Sequence, residues 1–482
     1  MDRRAALKQG ALYSAWPWIG AHAQSSADSQ TLGDAMRNLS DFMAQAAGKP
    51  LSTEVVEHTQ QHILDTLAAI VSGADLEPGQ AAHRYLKQHI APGRCTVIAS
   101  KRTAGPVDAA LAHGVMAHAD ETDDSHGRSR SHPGCAVVPA AWACGEYFNA
   151  SGTQLIRAVA LGYDVGTRVV MAMGGPAFSY SSHKSSHSIA GVFGAAAAAG
   201  CLAGFGAEQM RWMLDYTAQQ SSGIASWRRD VDHIEKAFVF GGMPARSGVT
   251  SAMLVRSGWN GIQDVFSGDD NFFQAYAPNA KTDLLTDGLG VRHEVVLTDI
   301  KKWTVGSPIQ GPLDAIELIR SQHPFTAGEV KDVTVRLEPS VANIVDNRDM
   351  PDVCLQHMVA VMLMDQTASF KAAHDKARMQ DPATLAQRQK VLLVKDPALT
   401  ALLPVRVAIV DITLHNGTRW SERVEAVRGT PRNPMTRQEV IDKATDLMAP
   451  VLGKSKTKQL IRQVFELDKL PHLRSLRPLL QA

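Results

Sequence analysis

Apolar residues recur at helical spacing along the first half of the chain, over residues 31–276. Residues 52–73 show the pattern well, because Ser52 or Thr53 can cap a helix start and Gly73 marks its end. One face of this helix would carry Val56, Ile63, Leu64, Leu67, Ile70 and Val71. Similar segments lie at residues 155–170 and 208–219, and strand-like alternation is scarce. The pattern therefore predicts a mainly helical domain over residues 31–278.

The pattern changes after residue 277, where β-branched and polar residues alternate. Three segments of this kind predict strands: EVKDVTVRLEP at 329–339, VRVAIVDITLHNG at 405–417 and TRWSERVEAVRG at 418–429. Asn416-Gly417 between the last two predicts a tight hairpin turn. Helical spacing returns at residues 307–321 and 352–373, which predicts a smaller α/β or α+β unit at 279–428. Residues 437–452 are helical again, within a final segment at 429–482.

The run GVFGAAAAAGCLAGF at residues 191–205 combines five consecutive alanines with flanking glycines. Alanine favours helix and has almost no bulk, so this segment predicts a core helix that another backbone can approach closely. The start of such a helix presents free amides and the positive end of its dipole, which suits an anionic ligand.

Composition excludes several classes of partner. With 482 residues, of which 45% are hydrophobic, the chain should build two or three packed units. Its 49 basic and 48 acidic residues leave no charge surplus for nucleic acid or a membrane surface. The five cysteines lack C-x-x-C spacing, which favours buried thiols over a zinc or iron–sulfur site. No apolar run reaches the roughly 18 residues of a membrane span.

The first 23 residues resemble a twin-arginine export signal. Arg3-Arg4 precedes a mildly apolar stretch, and Ala21-His22-Ala23 fits a cleavage site before Gln24. We therefore expect residues 1–23 to be a leader and the mature protein to be periplasmic. The alternative is a disordered tail on a cytoplasmic protein, since the apolar stretch is short and Pro17 interrupts it.

Residues 116–141 concentrate the candidate chemistry. Four carboxylates lie within five positions, at Asp120, Glu121, Asp123 and Asp124, and the segment also holds His118, His126 and His132. A metal site, an acid–base site and a solvated acidic turn all remain open from these residues alone. Crowded carboxylates raise one another's pKa values, which suits proton transfer. The segment lacks H-E-x-x-H spacing, which weakens the metal interpretation.

Candidate cations lie elsewhere in the sequence. Lys236 stands near a glycine pair within residues 226–248, and Lys301 and Lys302 precede Trp303 within residues 297–315. An isolated lysine is usually solvated. Three lysines within apolar, Gly- and Pro-containing runs are less ordinary, so they are candidates for the positive side of a site.

Five segments together resemble the MmgE/PrpD family, over about residues 32–452. They are HADETDDSH at 118–126, SHPG at 131–134, GVFGAAAAAG at 191–200, IKKWTVGSPIQGPLDA at 300–315 and RGTPRNPMT at 428–436. The family contains 2-methylcitrate dehydratases, cis-aconitate decarboxylases and an iminodisuccinate epimerase. The resemblance implies a mainly α fold, in which a large all-helical domain built from both chain ends carries a smaller inserted α/β lid. It also implies a homodimer with a site in the cleft between the domains.

The resemblance also implies site residues. The family's acid falls on Glu121, its threonine on Ser125, its His-Pro histidine on His132 and its two lysines on Lys236 and Lys301. Asp123 and Asp124 match its D-D pair. A second histidine would fall on Ser185, which His183 and His187 flank, and we favour His187 because it is closer to the helix start. No metal or organic cofactor is implied.

These residues suggest chemistry next to a carboxylate of a small di- or tricarboxylic acid. Lysines would hold the carboxylates, and His132 would be the general acid or base, since imidazole titrates near neutral pH. Glu121 and Asp124 would orient this histidine or balance its charge. Our leading expectation is dehydration or hydration, as in 2-methylcitrate dehydratase. Alternatives are a decarboxylase or epimerase on the same scaffold, a non-catalytic carboxylate-binding protein of the envelope, and a metallohydrolase.

Overall fold

A computed structural model describes residues 32–403 and 405–482 of the chain. The helices of its first part are α1 (Asp34–Ala46), α2 (Thr53–Gly73), α3 (Glu77–His89), α4 (Pro106–Ala117), α5 (Gly134–Phe148), α6 (Gly152–Ala172), α7 (Pro176–Ser181), α8 (Ser186–Ala203), α9 (Ala207–Gln219), α10 (Ile234–Ala237), α11 (Met243–Arg256) and α12 (Phe272–Tyr276). A π-helix, Phe238–Gly242, connects α10 to α11. The leader predicted at residues 1–23 lies outside the described residues.

The later helices are α13 (Ser307–Gln322), α14 (Pro339–Val345), α15 (Leu355–Asp365), α16 (Phe370–Ala373), α17 (Pro382–Arg388), α18 (Arg437–Leu452), α19 (Lys454–Phe465) and α20 (Arg477–Leu480). The strands are β1 (Cys95–Thr96), β2 (Thr103–Ala104), β3 (Val330–Leu337), β4 (Val391–Lys395), β5 (Ala408–Leu414) and β6 (Arg419–Val424). Short 3₁₀ turns occur at Ala225–Arg229, Thr282–Leu285, Ala327–Glu329, Pro351–Val353, Ala377–Gln380, Pro397–Leu402, Leu467–Lys469 and Leu473–Leu476. The expected mainly α class, with a smaller α/β part, is confirmed.

Helix α8 is packed among α5, α6 and α11 in the larger of two hydrophobic cores. Its backbone approaches that of α6 so closely that a Cβ added at Gly166 on α6 would lie 2.2 Å from the carbonyl oxygen of Ala190 on α8. Among the described helices, α8 alone is long and apolar enough to cross a membrane, and 89% of it is buried inside the protein. The expected tightly packed core helix is therefore confirmed.

The smaller core lies on a four-stranded sheet of order β4-β3-β5-β6. Strand β3 pairs in parallel with β4 and antiparallel with β5, which places Val333 between Val391 and Ile412. Asn416 and Gly417 turn β5 into β6, and Gly417 has the positive φ of 87° that such a turn requires. The three predicted strands are confirmed, whereas β4 was not predicted.

Most predicted helices are also confirmed, with one correction. The expected helix at residues 352–373 is two helices, α15 and α16, because Gln366 adopts a left-handed φ of 63° directly after Asp365. The larger core takes residues from Met36 to Ile300 and again from Met435 to Leu480, and the smaller core takes residues from Trp303 to Val424. The domain boundaries at 278/279 and 428/429 remain predictions.

Candidate active site

The acidic segment lies between α4 and α5 and is almost entirely buried. Asp120 and Glu121 are 3% and 6% exposed, and Asp123 and Asp124 are inaccessible to solvent. Buried charges are costly unless each one has partners, so each carboxylate must be paired. The interpretation of this segment as a solvated acidic turn was therefore wrong.

The Asp123 carboxylate contacts two histidines. One carboxylate oxygen lies 2.8 Å from Nδ1 of His118, and the other lies 3.1 Å from Nδ1 of His132. Lys301 Nζ is 3.7 Å from the same carboxylate. Burial alone would raise the pKa of Asp123, but His118 and His132 outweigh it and hold that pKa well below its usual range. Asp123 is thus a fixed negative charge that orients His132 through Nδ1 and leaves Nε2 for other partners.

Glu121 joins the two predicted lysines. Lys236 Nζ forms an ion pair with the Glu121 carboxylate. Lys301 Nζ donates a 2.7 Å hydrogen bond to the backbone oxygen of Glu121 and lies 3.7 Å from its carboxylate. Burial would raise the pKa of Glu121, but Lys236 and then Lys301 hold it well below its usual value. The structure therefore brings Glu121, Lys236 and Lys301 together. Among the described residues Glu121 makes no hydrogen bond with His132, so the expected orienting contact is not found, because the two lysines occupy the Glu121 carboxylate.

A short backbone pairing brings Lys301 into the site. Ser125 and Asp299 exchange two backbone hydrogen bonds of 2.8 and 3.0 Å, and Lys301 follows two residues later. The Ser125 hydroxyl contacts the Asp299 carboxylate at 3.4 Å. Burial raises the pKa of Asp299 to about 6. Ser125 thus lies next to the cluster. Its contacts with Asp299 hold the acidic segment against the segment that carries Lys301.

Asp124 faces away from His132, contrary to the orienting contact that we expected for it. Its carboxylate lies 3.0 Å from His62 Nδ1 and accepts hydrogen bonds from the Tyr163 hydroxyl and, at 3.0 Å, from the Gly134 amide. Asp123 and Asp124 share no hydrogen-bond partner among the described residues, because these adjacent side chains leave the backbone in different directions. Asp123 therefore takes the contact with His132, and Asp124 fixes the segment to α2, α5 and α6.

A buried lysine from the end of the chain also supports this segment. Lys443, on α18, donates a 3.0 Å hydrogen bond to the backbone oxygen of Thr122 and forms a 2.6 Å ion pair with Asp65 on α2. Both side chains are at least 95% buried. The backbone between Glu121 and Asp123 is thus fixed by a residue more than three hundred positions away in sequence.

His187 lies in the cluster and His183 does not. His187 occupies the first turn of α8, and its ring centroid is 5.2 Å from that of His132 and 3.8 Å from that of Phe240. Its buried Nδ1 has no partner among the described residues. Burial, and next the neighbouring His132, hold the pKa of His187 well below its usual value. The side chain of His183 is exposed.

His118 and His233 were given no role from sequence, although they lie within residues 116–141 and 226–248, which the sequence singled out. His233 adopts a left-handed conformation with φ 61°, a strained geometry that concentrates at functional sites. The Nε2 atoms of both rings are buried without a partner among the described residues. Burial lowers the pKa of each ring, with Lys236 the next contribution at His233. Neutral imidazoles with open Nε2 positions can bind a polar substrate.

The smaller core contributes two further titratable groups, Asp352 and His374. Burial raises the pKa of Asp352 to about 7, although the nearby His374 opposes the shift. His374 Nε2 lies 3.0 Å from the Asp120 carboxylate. Burial would lower the pKa of His374, but the hydrogen bond with Asp120 raises it to about 9. No sequence motif marked either residue, since both lie more than two hundred positions from the acidic segment.

The ion pair between His374 and Asp120 should make the stability of the protein depend on pH. Because the pKa of His374 rises from 6.5 to about 9 on folding, its contribution is complete below pH 6.5 and is lost as pH rises to about 9. The loss has an upper limit of about 3 kcal/mol. Urea unfolding of the wild type and His374→Gln at pH 6 and pH 9.5 should show a smaller pH effect in the variant. Equal pH effects in the two proteins would contradict the pairing.

Two sets of buried side chains could hold a metal ion. The ligand atoms of His118, Glu121 and His233 lie within 4.8 Å of one another, and so do those of His118, Asp123 and Cys135. The carboxylates in both sets already face lysine or imidazole partners. Our expectation from sequence remains a metal-free site.

The fold and the site together define a class: a mainly helical protein with a small α/β part and a buried cluster of carboxylates, lysines and histidines. The MmgE/PrpD N-terminal domain model matches residues 37–285, and the MmgE/PrpD C-terminal domain model matches residues 303–467. The chain therefore belongs to the MmgE/PrpD family of enzymes.

Several curated relatives are similar to the chain over most of their length. A cis-aconitate decarboxylase of Aspergillus terreus is 24% identical over 95% of this chain and 98% of the relative. Human cis-aconitate decarboxylase is 22% identical, over 89% of this chain and 91% of the relative. The mouse protein of the same name is 23% identical over 87% of this chain and 88% of the relative.

Proposed function

We propose that the protein is a cofactor-independent lyase that removes carbon dioxide from an unsaturated di- or tricarboxylic acid of the cis-aconitate type. The observation that carries this proposal is the convergence of Lys236 and Lys301 on Glu121, next to a histidine that Asp123 orients. The similarity to cis-aconitate decarboxylases supports it, whereas no relative named above is a 2-methylcitrate dehydratase.

The lysines would bind the substrate through its carboxylates. Charge-assisted hydrogen bonds from ammonium groups in a buried site are strong, and Lys236 already holds the Glu121 carboxylate in this way. A substrate carboxylate would compete with Glu121 for Lys236. The side chain of Lys236 is 17% exposed, whereas that of Lys301 is 2% exposed. Lys301 would remain beneath it as a buried positive charge.

Decarboxylation then needs one proton. The bond between the carboxylate carbon and its neighbour breaks, carbon dioxide leaves, and the electron pair stays on the neighbouring carbon. The nearby lysine ammonium groups stabilise the charge that develops. His132, held through Nδ1 by Asp123, would deliver a proton from Nε2 to that carbon. No oxidant, reductant or metal is required for this balance.

Dehydration, our leading expectation from sequence, is the second candidate because of Asp352. A departing hydroxyl group needs an acid opposite the base, and a buried carboxyl with a pKa of about 7 can supply that proton near neutral pH. Asp352 lies in the part of the chain that forms the smaller core, and Glu121 and Asp120 of the acidic segment are among the charges that act on it.

Product identification separates these reactions. Purified protein would be incubated separately with cis-aconitate, 2-methylcitrate and 2-methyl-cis-aconitate, and products followed by proton NMR and carbon dioxide release. We expect carbon dioxide and a dicarboxylate from cis-aconitate. Water loss or gain without carbon dioxide would instead establish a hydro-lyase. Thermal stabilisation by these acids without any product would establish a binding protein and refute the proposal.

Asp352→Asn tests the two candidates within the protein. An amide imitates a protonated carboxyl, so the fold should be retained. If decarboxylation is correct, kcat at pH 7 should change by no more than about threefold, whereas loss of a general acid would cost about 100-fold or more. The rate would be measured from pH 6 to pH 8.5, with circular dichroism as a check on folding.

We also propose export and self-association. Arg3-Arg4 and Ala21-His22-Ala23 support cleavage after Ala23 and a periplasmic location. Mass spectrometry of the protein from its native host would show a terminus at Gln24, and an intact Met1 or Asp2 in the cytoplasmic fraction would refute export. The resemblance to the family supports a homodimer, which sedimentation of the purified protein would test.

A further inference from the structure

A cavity of about 330 Å³ lies outside the catalytic cluster, in the larger core. Its walls come from α1 and the turn after it, from α2 and α6, and from residues 290–297. We call it the Arg157 cavity and define it by Phe42, Lys49, Leu51, Arg157, Leu161 and Val296. Its volume falls within the range of small-molecule sites, and its lining combines apolar walls with charged side chains.

Some charged side chains of this cavity have charged or hydrogen-bonded partners, and others have no partner of opposite charge. Asp164 is occupied, because it accepts hydrogen bonds from His293 and from the Glu294 amide at 2.8 and 2.6 Å. Arg157 donates to the backbone oxygen of Ala47 at 2.6 Å, and neither Arg157 nor Lys49 has a carboxylate partner among the described residues. Arg157 and Lys49 therefore line the cavity without an ion-pair partner among the described residues, while the remaining acid of the lining, Glu54, is exposed to solvent.

We propose that the Arg157 cavity binds a small organic anion, a carboxylate with a short apolar chain, and that this ligand modulates the catalytic site. Arg157 and Lys49 would hold the carboxylate, and Phe42, Leu51, Leu161 and Val296 would enclose the chain. The binding does not depend on which reaction the enzyme catalyses.

One segment connects the cavity to the catalytic cluster. Residues 290–297 form a wall of the cavity, and the same segment continues to Asp299, which pairs with Ser125, and to Lys301. Within it, Arg292 contacts the Glu294 carboxylate at 3.0 Å, and Glu294 contacts His126 Nε2 at 3.2 Å. A ligand that moves this wall would therefore change the position of Lys301 and of the loop that carries His126.

Binding of octanoate, measured by isothermal titration calorimetry, tests the proposal. We expect saturable binding with a dissociation constant in the millimolar range or tighter, a loss of about tenfold or more in Arg157→Gln, and a smaller loss in Lys49→Gln. Lys49 is exposed, so its variant tests binding without disturbing the core. Lys302→Gln is the matched control, because Lys302 pairs with Glu317, and it should bind octanoate like the wild type.

Further measurements test where octanoate binds and which parts of the ligand are needed for binding. Octanol, which lacks the charge, and inorganic phosphate, which lacks the chain, should both bind more weakly than octanoate. Lys301→Ala should keep octanoate binding, and octanoate should change turnover in the wild type but not in Arg157→Gln. Unchanged binding in both cavity variants, or loss of binding in Lys301→Ala, would place octanoate in the catalytic site and overturn the proposal. Absence of saturable binding would overturn it as well.

Discussion

His132→Gln is expected to lower kcat by about 100-fold or more, as the loss of one general acid or base usually does. The Asp123 carboxylate lies 3.1 Å from Nδ1 of His132 and orients the ring, so Nε2 of His132 remains free for the substrate. Glutamine keeps a polar side chain of similar length but cannot transfer a proton near neutral pH. KM should change much less, because Lys236 and Lys301 would still hold the substrate. Initial rates across a substrate series would separate the two constants.

His183→Gln is the matched control for this experiment. His183 is exposed, whereas His132 lies in the buried cluster, so the control should retain wild-type kcat and KM. Circular dichroism and thermal unfolding would verify that both variants fold. If folded His132→Gln turned over at the wild-type rate, the catalytic proton would have to come from another ring, and the buried His187 would be tested next.

Lys236→Ala and Lys301→Ala should each reduce kcat/KM by an amount equivalent to about 2–5 kcal/mol, the usual cost of removing one partner of a buried charge pair. The larger effect is expected at Lys301, whose side chain is only 2% exposed and is shared by Glu121 and Asp123. Without it, two buried carboxylates would lose a counter-charge before any substrate arrives. Steady-state kinetics and substrate calorimetry would measure turnover and affinity separately.

Lys302→Ala provides the comparison for both lysine variants. Lys302 is adjacent to Lys301 in sequence, but its ammonium group pairs with Glu317 at 2.5 Å and lies over the Trp303 ring. Its loss should therefore leave kcat/KM close to that of the wild type, since exposed ion pairs contribute little. Equal, small effects in all three variants would mean that Lys236 and Lys301 do not hold the substrate.

Local pattern was sufficient to predict much of the fold. The apolar face of residues 52–73 and the cap at Ser52 gave α2 its bounds within one residue, because both signals act over a single helical turn. The Asn416-Gly417 turn gave the β5–β6 hairpin for the same reason. Strand β4 was not predicted, since VLLVK is short and its pairing partner, β3, lies more than fifty residues earlier.

The candidate site was predicted only where the resemblance supplied its residues. Glu121, His132, Lys236 and Lys301 do meet in the structure, together with His187. The sequence could not decide between Asp123 and Asp124 as the partner of His132, because side-chain direction in an irregular segment depends on tertiary contacts. Asp352 and His374 could not be found either, since only folding of the smaller core brings them to Asp120.

The hydrogen bond from Lys443 to the Thr122 backbone also sets the moment in protein synthesis at which the site can be completed. Lys443 is translated 321 residues after Thr122, and α18 cannot pack against the acidic segment until its own residues have been synthesised. At typical rates of about 5–20 residues per second, this separation corresponds to roughly 15–60 s. During that interval the acidic segment already exists in the nascent chain, but Asp65 and the Thr122 carbonyl lack their buried cation. The acidic segment therefore gains its buried cation only after the residues of α18 have been synthesised.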